Sequence, residues 1–264
     1  MSAVPQDAGP VLLREESDGI VALTMNRPRQ MNLLTSEMIG ALQGAFEEIS
    51  RSKTARVVVL AATGKGFCAG HDLKEIRALG EQAKIAELFA RCSAMMMSIQ
   101  GLPQPVIAKV QGPAAAAGCQ LVAQCDLAVA VDTAKFVTSG VTWGFFCSTP
   151  GVAIGRNLQR KHAMEMLLTG EPVDARRAME WGLVNRVVPA AELDAETAKL
   201  AATLAAKPPA TLAAGKRTFY LQMDMDLTRA YELAGEVISS SFAHAEGREG
   251  MAAFIEKRPP PGKK

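Results

Sequence analysis

The chain has 264 residues, with Lys plus Arg at 29, Asp plus Glu at 27, and a formal charge of +2. Hydrophobic residues make up 48% and charged residues 21%, so the length supports one full core without metals or disulfides. The balanced charge and the 5% aromatic content exclude a broadly basic, base-stacking nucleic-acid surface.

The five cysteines (Cys68, Cys92, Cys119, Cys125 and Cys147) are odd in number, irregularly spaced and free of any C-x-x-C. A disulfide framework and a zinc site are therefore not expected, and a reducing compartment fits. No apolar run approaches the ~20 residues of a membrane span. The N-terminal stretch has no basic segment leading into an apolar one, and it carries Asp7, Glu15 and Glu16. The expectation is a cytoplasmic protein that touches neither membrane nor nucleic acid.

In chain order, Gly19–Met25 is β-branched and apolar and stops at Asn26-Arg27-Pro28, which predicts a strand and turn. Thr35 or Ser36 can cap a helix in which Met38, Leu42, Phe46 and Ile49 recur at helical spacing. Arg56–Ala62 reads as a strand covered on both faces. A loop with Gly64, Gly66 and Gly70 follows, then an amphipathic helix over Glu81–Ile99. Pro105–Val110 and Asp126–Val131 are further buried strands, and Gly112–Gly118 between them has almost no side-chain bulk. Leu158–Leu168 reads as a helix stopped by Gly170, Asp174 caps a short helix ended by Gly182, and Leu183–Val188 is a last strand. From Glu192 the pattern is helical, broken at Pro208-Pro209 and ended before Pro259-Pro260-Pro261. Strands alternating with helices mean an α/β fold, with a core over 1–200 and a helical region over 201–264.

Two loops are candidates for chemistry. Lys65–Lys74 combines small residues, free N–H groups at a helix entry and a lysine at each end, which suits an oxyanion or phosphate. It is no Walker A loop, because no Gly-Lys-Ser/Thr closes it. Gln111–Gln120 lets a ligand or a packed element approach the main chain closely. Together the loops can supply two convergent backbone donors for an oxyanion; the bland alternative for each is an ordinary tight turn. His71 is a candidate acid/base, although a structural or backbone role is commoner for such a residue. His162 and His244 are expected at the solvent. There is no metal-ligand spacing, no G-x-S-x-G elbow, and no G-x-G-x-x-G after the first strand.

Several segments resemble the crotonase superfamily, the enoyl-CoA hydratase/isomerase family. Met25–Asn32 resembles its LNRPxxxNAL segment, Phe67–Lys74 its FxAGxDLK segment, and Ala117–Leu121 with Cys125-Asp126 its GGGxELA and CD segments. Leu167–Gly170, Gly182–Pro189 and Phe254–Arg258 resemble LLTG, GLVNxVVP and FxEKR. Each is weak alone, but their order from about Gly19 to Lys257 is specific.

The resemblance implies a spiral of ββα units with a C-terminal helical trimerisation region, assembled as a trimer or a dimer of trimers. It implies an acyl-CoA thioester as substrate or ligand, with no covalently bound cofactor and no metal. By position, the amides of His71 and Ala117 form the oxyanion hole. Arg29, Gln30, Met31, Lys65, Ala69, Leu73 and Lys74 meet the CoA moiety, joined by Lys257 of a neighbouring subunit, with Phe254 against the adenine end.

One departure stands out. The resemblance places the two hydratase glutamates at positions 120 and 140, and this chain has Gln120 and Gly140. An amide cannot take a proton at neutral pH, and glycine has no side chain. Losing an acid/base group costs roughly 10²–10⁴-fold. Asp72, Glu75, His71 and Ser139 are the nearby substitutes, with Asp72 expected to be structural. The segment Gly140–Gly151 resembles a divergent subgroup, the enoyl-CoA hydratase domain-containing protein 3-like members, which share the missing glutamates and the GHDLKE loop. Two functions remain open: an enzyme with non-standard acid/base groups, and a non-catalytic acyl-CoA-binding or carrier protein. Trp143, Phe145 and Phe146 are candidates for the acyl pocket, with core packing expected for at least two of them.

Overall fold

The computed structural model describes residues 9–259; Asp7, Pro260 and Pro261 lie outside them. β1 (Leu12–Ser17) and β2 (Ile20–Met25) form an antiparallel hairpin through Asp18-Gly19, both with positive φ. α1 (Ser36–Ser50) starts at Thr35, whose side chain accepts from the Met38 amide. It buries Met38, Leu42, Phe46 and Ile49, the stripe read from the sequence. β3 (Val57–Ala62) is buried along nearly its whole length. α2 (Leu73–Leu79) and α3 (Gln82–Gly101) lead to β4 (Val106–Val110), β5 (Ala114–Ala115) and the wholly buried α4 (Ala117–Gln124).

β6 (Leu127–Val131) and β7 (Lys135–Val137) precede α5 (Ser148–Asn157) and α6 (Arg160–Thr169). β8 (Val173–Asp174), α7 (Ala175–Trp181) and β9 (Arg186–Val188) follow. The chain closes with α8 (Leu193–Ala205), α9 (Pro209–Gln222), α10 (Leu227–Ala243) and α11 (Ala245–Ile255).

The large sheet runs β1-β2-β3-β4-β6-β9, parallel from β2 onward, and the small one runs β5-β7-β8. β4, β5 and α4 show the repeat: a long strand in the large sheet, a short one in the small sheet, then a helix. The turn after β3 has the same form, because Cys68 bridges in parallel to Ala114 and extends the small sheet. Each turn therefore stacks on the next, as the α/β spiral expectation requires.

Three differences from the sequence reading have local causes. α5 was not foreseen: Pro150 is tolerated in a first helical turn, but it and Gly151 and Gly155 hide the helical pattern. α6 begins only at Arg160, because Leu158 closes α5. The last strand is Arg186–Val188, because Leu183 belongs to the turn after α7, where its amide reaches the Ala178 carbonyl.

α8 packs on β3, β4 and β6, and residue 200 falls within it. α9 is tied down by a part-buried polar cluster. Lys216 Nζ donates to the carbonyls of Ile99 (2.8 Å) and Gln104 (3.0 Å) and to Asp126 Oδ2 (2.7 Å). Tyr220 donates its hydroxyl to Asp126 Oδ1, and Asp126 Oδ2 also accepts the Val106 amide. Burial lowers the Lys216 pKa while Asp126 opposes that shift. Removing one partner of a buried, hydrogen-bonded pair strands the other charge. Lys216→Met is therefore expected to cost about 3 kcal/mol in urea unfolding; a loss under about 1 kcal/mol would mean that the cluster does not anchor α9.

Candidate functional site

The loops 65–74 and 111–120 meet face to face. The Phe67 amide donates to the Pro113 carbonyl (2.9 Å), and the Ala115 amide donates to the Cys68 carbonyl (2.8 Å). The contact is so close that a Cβ on Gly112 would collide with the Lys65 carbonyl, and one on Gly118 with the Cys68 carbonyl. Asn32, fully buried, holds the first loop from the other side: its Nδ2 donates to the carbonyls of Thr63 (2.9 Å) and Gly66 (3.0 Å).

The pairing places His71 and Ala117 on the wall of one cavity of about 760 Å³. Ala117 is the first residue of α4, where helix amides lack intrahelical partners. Ala116 before it has φ +49° and ψ −118°, a strained conformation for a residue with a Cβ, which turns the chain into the helix. Among the described residues, no backbone carbonyl accepts from the His71 or Ala117 amides.

Of the residues expected at the site, Ala69, His71, Leu73, Lys74, Ala117 and Gly140 line this cavity. Arg29, Gln30, Met31, Lys65, Gln120, Phe254 and Lys257 do not. Arg29 and Gln30 end a 3-10 turn, and Met31 beside them accepts the Ala69 amide through its carbonyl. Gln120 is buried one turn into α4, and its Oε1 has no hydrogen-bond partner among the described residues. Phe254 is 83% exposed on α11.

Among the described residues, the only carboxylate on the cavity wall is Asp72, and its Oδ1 accepts the Lys74 amide as the cap of α2. Glu75 accepts the Ser36 amide at the start of α1. The two acidic substitutes weighed from sequence are thus both engaged in structural bonds. His71 is half-buried; burial brings its imidazole down to about 4, with Glu75 opposing, so it is neutral at pH 7.

Two expectations are corrected. Trp143, Phe145 and Phe146 all line the cavity and are all exposed, so none is a core residue. His162 does not simply face solvent: it stacks on Trp181, 4.7 Å between ring centroids at 7°. Sequence reasoning also passed over Leu33, Phe89 and Cys147, cavity residues from three separate elements that no local motif joins.

The place where the resemblance puts the second glutamate is filled. A Cβ on Gly140 would lie 2.6 Å from the Phe145 carbonyl oxygen and 2.8 Å from Cys147 Sγ. The Phe145 amide donates back to the Gly140 carbonyl (3.1 Å), which closes the loop over this position. Burial pushes the Cys147 thiol upward, so it stays protonated at neutral pH.

A family model for Enoyl-CoA hydratase/isomerase matches residues 15–264. Enoyl-CoA hydratase domain-containing protein 3, mitochondrial, of Mus musculus is 44% identical over 245 residues, covering 93% of this chain and 82% of that protein. A crystal structure of an enoyl-CoA hydratase from Mycobacterium smegmatis superposes with TM-score 0.94 at 50% identity, covering 96% of this chain and 98% of that one. The structure of human enoyl-CoA hydratase domain-containing protein 3 gives TM-score 0.92 at 43% identity, covering 95% and 99%.

Because the Cβ itself is what collides, Gly140→Ala is expected to carry most of the cost of Gly140→Glu, about 1–3 kcal/mol in urea unfolding. A cost below about 0.5 kcal/mol for the alanine variant would show that the loop 145–147 yields freely.

Proposed function

Since the chain belongs to the enoyl-CoA hydratase/isomerase family and has the crotonase fold, we propose that it binds an acyl-CoA thioester and polarises it with two backbone amides, without the usual pair of glutamates. The observation that carries this reading is the shared cavity wall at His71 and Ala117, two residues whose amides donate to no backbone carbonyl among the described residues. Fixed donors in a site shielded from water stabilise a developing enolate oxygen, and one such donor is worth roughly 10²–10³-fold in rate. Acyl-CoA acts as substrate or ligand, and no covalent cofactor is involved. Lys74, Lys65 and Arg29 serve the phosphates and ribose, with Gln30 and Met31 beside them. Ala69 and Leu73 serve the adenine.

Phe254 and Lys257 complete the site from a neighbouring subunit of a trimer or a dimer of trimers. Support for assembly comes from α9 and α10, which bury no residue in the single chain and expose Phe219, Leu227, Tyr231 and Ile238. Light scattering should give three or six times 28.0 kDa; a monomeric mass would remove the assembly and the subunit-shared site with it. For the compartment we propose the cytoplasm, on the reducing environment that free thiols suit. The names of the mouse and human relatives place those proteins in mitochondria. Among the described residues, no helix is long and apolar enough to cross a membrane.

Concerted addition of water needs a base and an acid near one water. Gln120 supplies neither, and Gly140 lies under the loop 145–147. This favours a second reading, a non-catalytic acyl-CoA-binding or carrier protein. Weak hydration, isomerisation or thioester hydrolysis by non-standard groups is the enzymatic version.

Crotonyl-CoA separates the readings. Its absorbance should fall at a rate far below the usual enzymatic range of about 1–10³ per second, while calorimetry with a non-hydrolysable acyl-CoA should show binding. Ordinary turnover would overturn the role given to Gln120 and Gly140. Absence of both binding and turnover would overturn the acyl-CoA reading.

A further inference from the structure

The run 66–71 is gripped at every second peptide. In the first, the Gly66 carbonyl accepts from Asn32 Nδ2 (3.0 Å) and from Gln111 Nε2 (2.9 Å), and the Phe67 amide donates to the Pro113 carbonyl. In the second, the Cys68 carbonyl accepts the Ala115 amide and the Ala69 amide donates to the Met31 carbonyl. In the third, the Gly70 carbonyl accepts the Leu34 amide (2.8 Å). A trans peptide points its N–H opposite to its C=O, so the His71 amide is aimed away from Leu34. Gly70, with φ +90°, is where the chain makes this reversal. A Cβ on Gly70 would lie 3.2 Å from the Ala117 amide nitrogen, so the Ala117 amide stands beside the same peptide.

Gln111 follows β4 and does not line the cavity. Its Nε2 also donates to the Gly64 carbonyl (3.3 Å), while its Oε1 is buried with no hydrogen-bond partner among the described residues. Both groups it faces are carbonyls, so the amide must turn its N–H bonds toward them whatever its oxygen then lacks. Buried polar atoms normally have a partner. Removing this side chain would strand neither carbonyl: Gly66 keeps its bond from Asn32, and Gly64 is exposed. Stability alone therefore does not account for a glutamine at this place.

We infer that Gln111 is a positioning residue that, by fixing the Gly66 carbonyl, sets the aim of the His71 amide at the thioester oxygen. The inference rests on the acyl-CoA reading. Backbone donors stabilise an oxyanion only when they are held in place beforehand. A hydrogen bond weakens steeply as its donor turns off line. Loosening one end of the gripped run therefore weakens the bond to the thioester oxygen and leaves the rest of the ligand's contacts as they were.

The test is calorimetric titration of the full chain with butyryl-CoA and with S-butyl-CoA, a thioether without the carbonyl oxygen. The unmodified protein should bind the thioester about 10-fold more tightly, because the thioether forgoes two hydrogen bonds. Gln111→Met, of similar length and without donors, should lower that ratio to about 3 or less, with S-butyl-CoA binding and the urea midpoint unchanged. An undiminished ratio in Gln111→Met overturns the inference and leaves the acyl-CoA reading standing. An equal loss of affinity for both ligands does the same, since that is what a merely structural role gives. Equal affinities in the unmodified protein overturn the two-amide reading and the inference with it, and failure of both ligands to bind overturns the acyl-CoA reading as a whole. Should the methionine variant not fold, Gln111→Glu decides, because its carboxylate keeps the shape but cannot donate. Its ratio should be low at about pH 8 and rise toward about pH 4, where the protonated acid regains one O–H donor. A ratio that stays at the unmodified protein's value across that range overturns the inference.

Discussion

The contact between the loop 65–70 and the segment 112–118 is the constraint on which the site depends. Two backbone hydrogen bonds, Phe67 to Pro113 and Ala115 to Cys68, make the loops neighbours in the small sheet. Main chains this close leave no room for Cβ atoms, so Gly112 and Gly118 are required where they stand. The strain at Ala116 belongs to the same arrangement: the chain must turn sharply to begin α4 directly behind the contact. His71 and Ala117 reach one wall as a geometric result of that pairing.

The opposite side of the cavity follows a different logic. Where relatives of this family are expected to place a carboxylate, Gly140 accepts a packed loop, with the Phe145 carbonyl and Cys147 sulfur against it. Acid/base chemistry and a closed aromatic wall compete for the same volume. This chain has the wall, with Trp143, Phe145 and Phe146 at the cavity. Gln120, at the other position where the resemblance expects a glutamate, is buried, its Oε1 has no hydrogen-bond partner among the described residues, and an amide cannot accept a proton at neutral pH.

Local features were readable where the information is local. The stripe in α1, the Thr35 cap, the Asp174 cap and the buried β3 all come from spacing or single-residue chemistry, and each stands as expected. α5 was missed because Pro150, Gly151 and Gly155 erase a period that tertiary packing alone sustains. The three aromatics after Gly140 were assigned mainly to a core, because hydrophobicity does not say which side of a wall a side chain faces. His162 was assigned to solvent because nothing in the sequence near it announces its stacking on Trp181.

The amino-acid sequence by itself determined the ordered family segments, the bare loops around Gly70 and Gly118, and the absence of carboxylates at 120 and 140. These are properties of residue identity and spacing, which survive without coordinates. Only the tertiary structure decided which candidates share the cavity, that Asp72 and Glu75 are committed to backbone amides, and that the space at Gly140 is already filled. Those facts depend on contacts between segments far apart in the chain, and no local pattern encodes the distance between them.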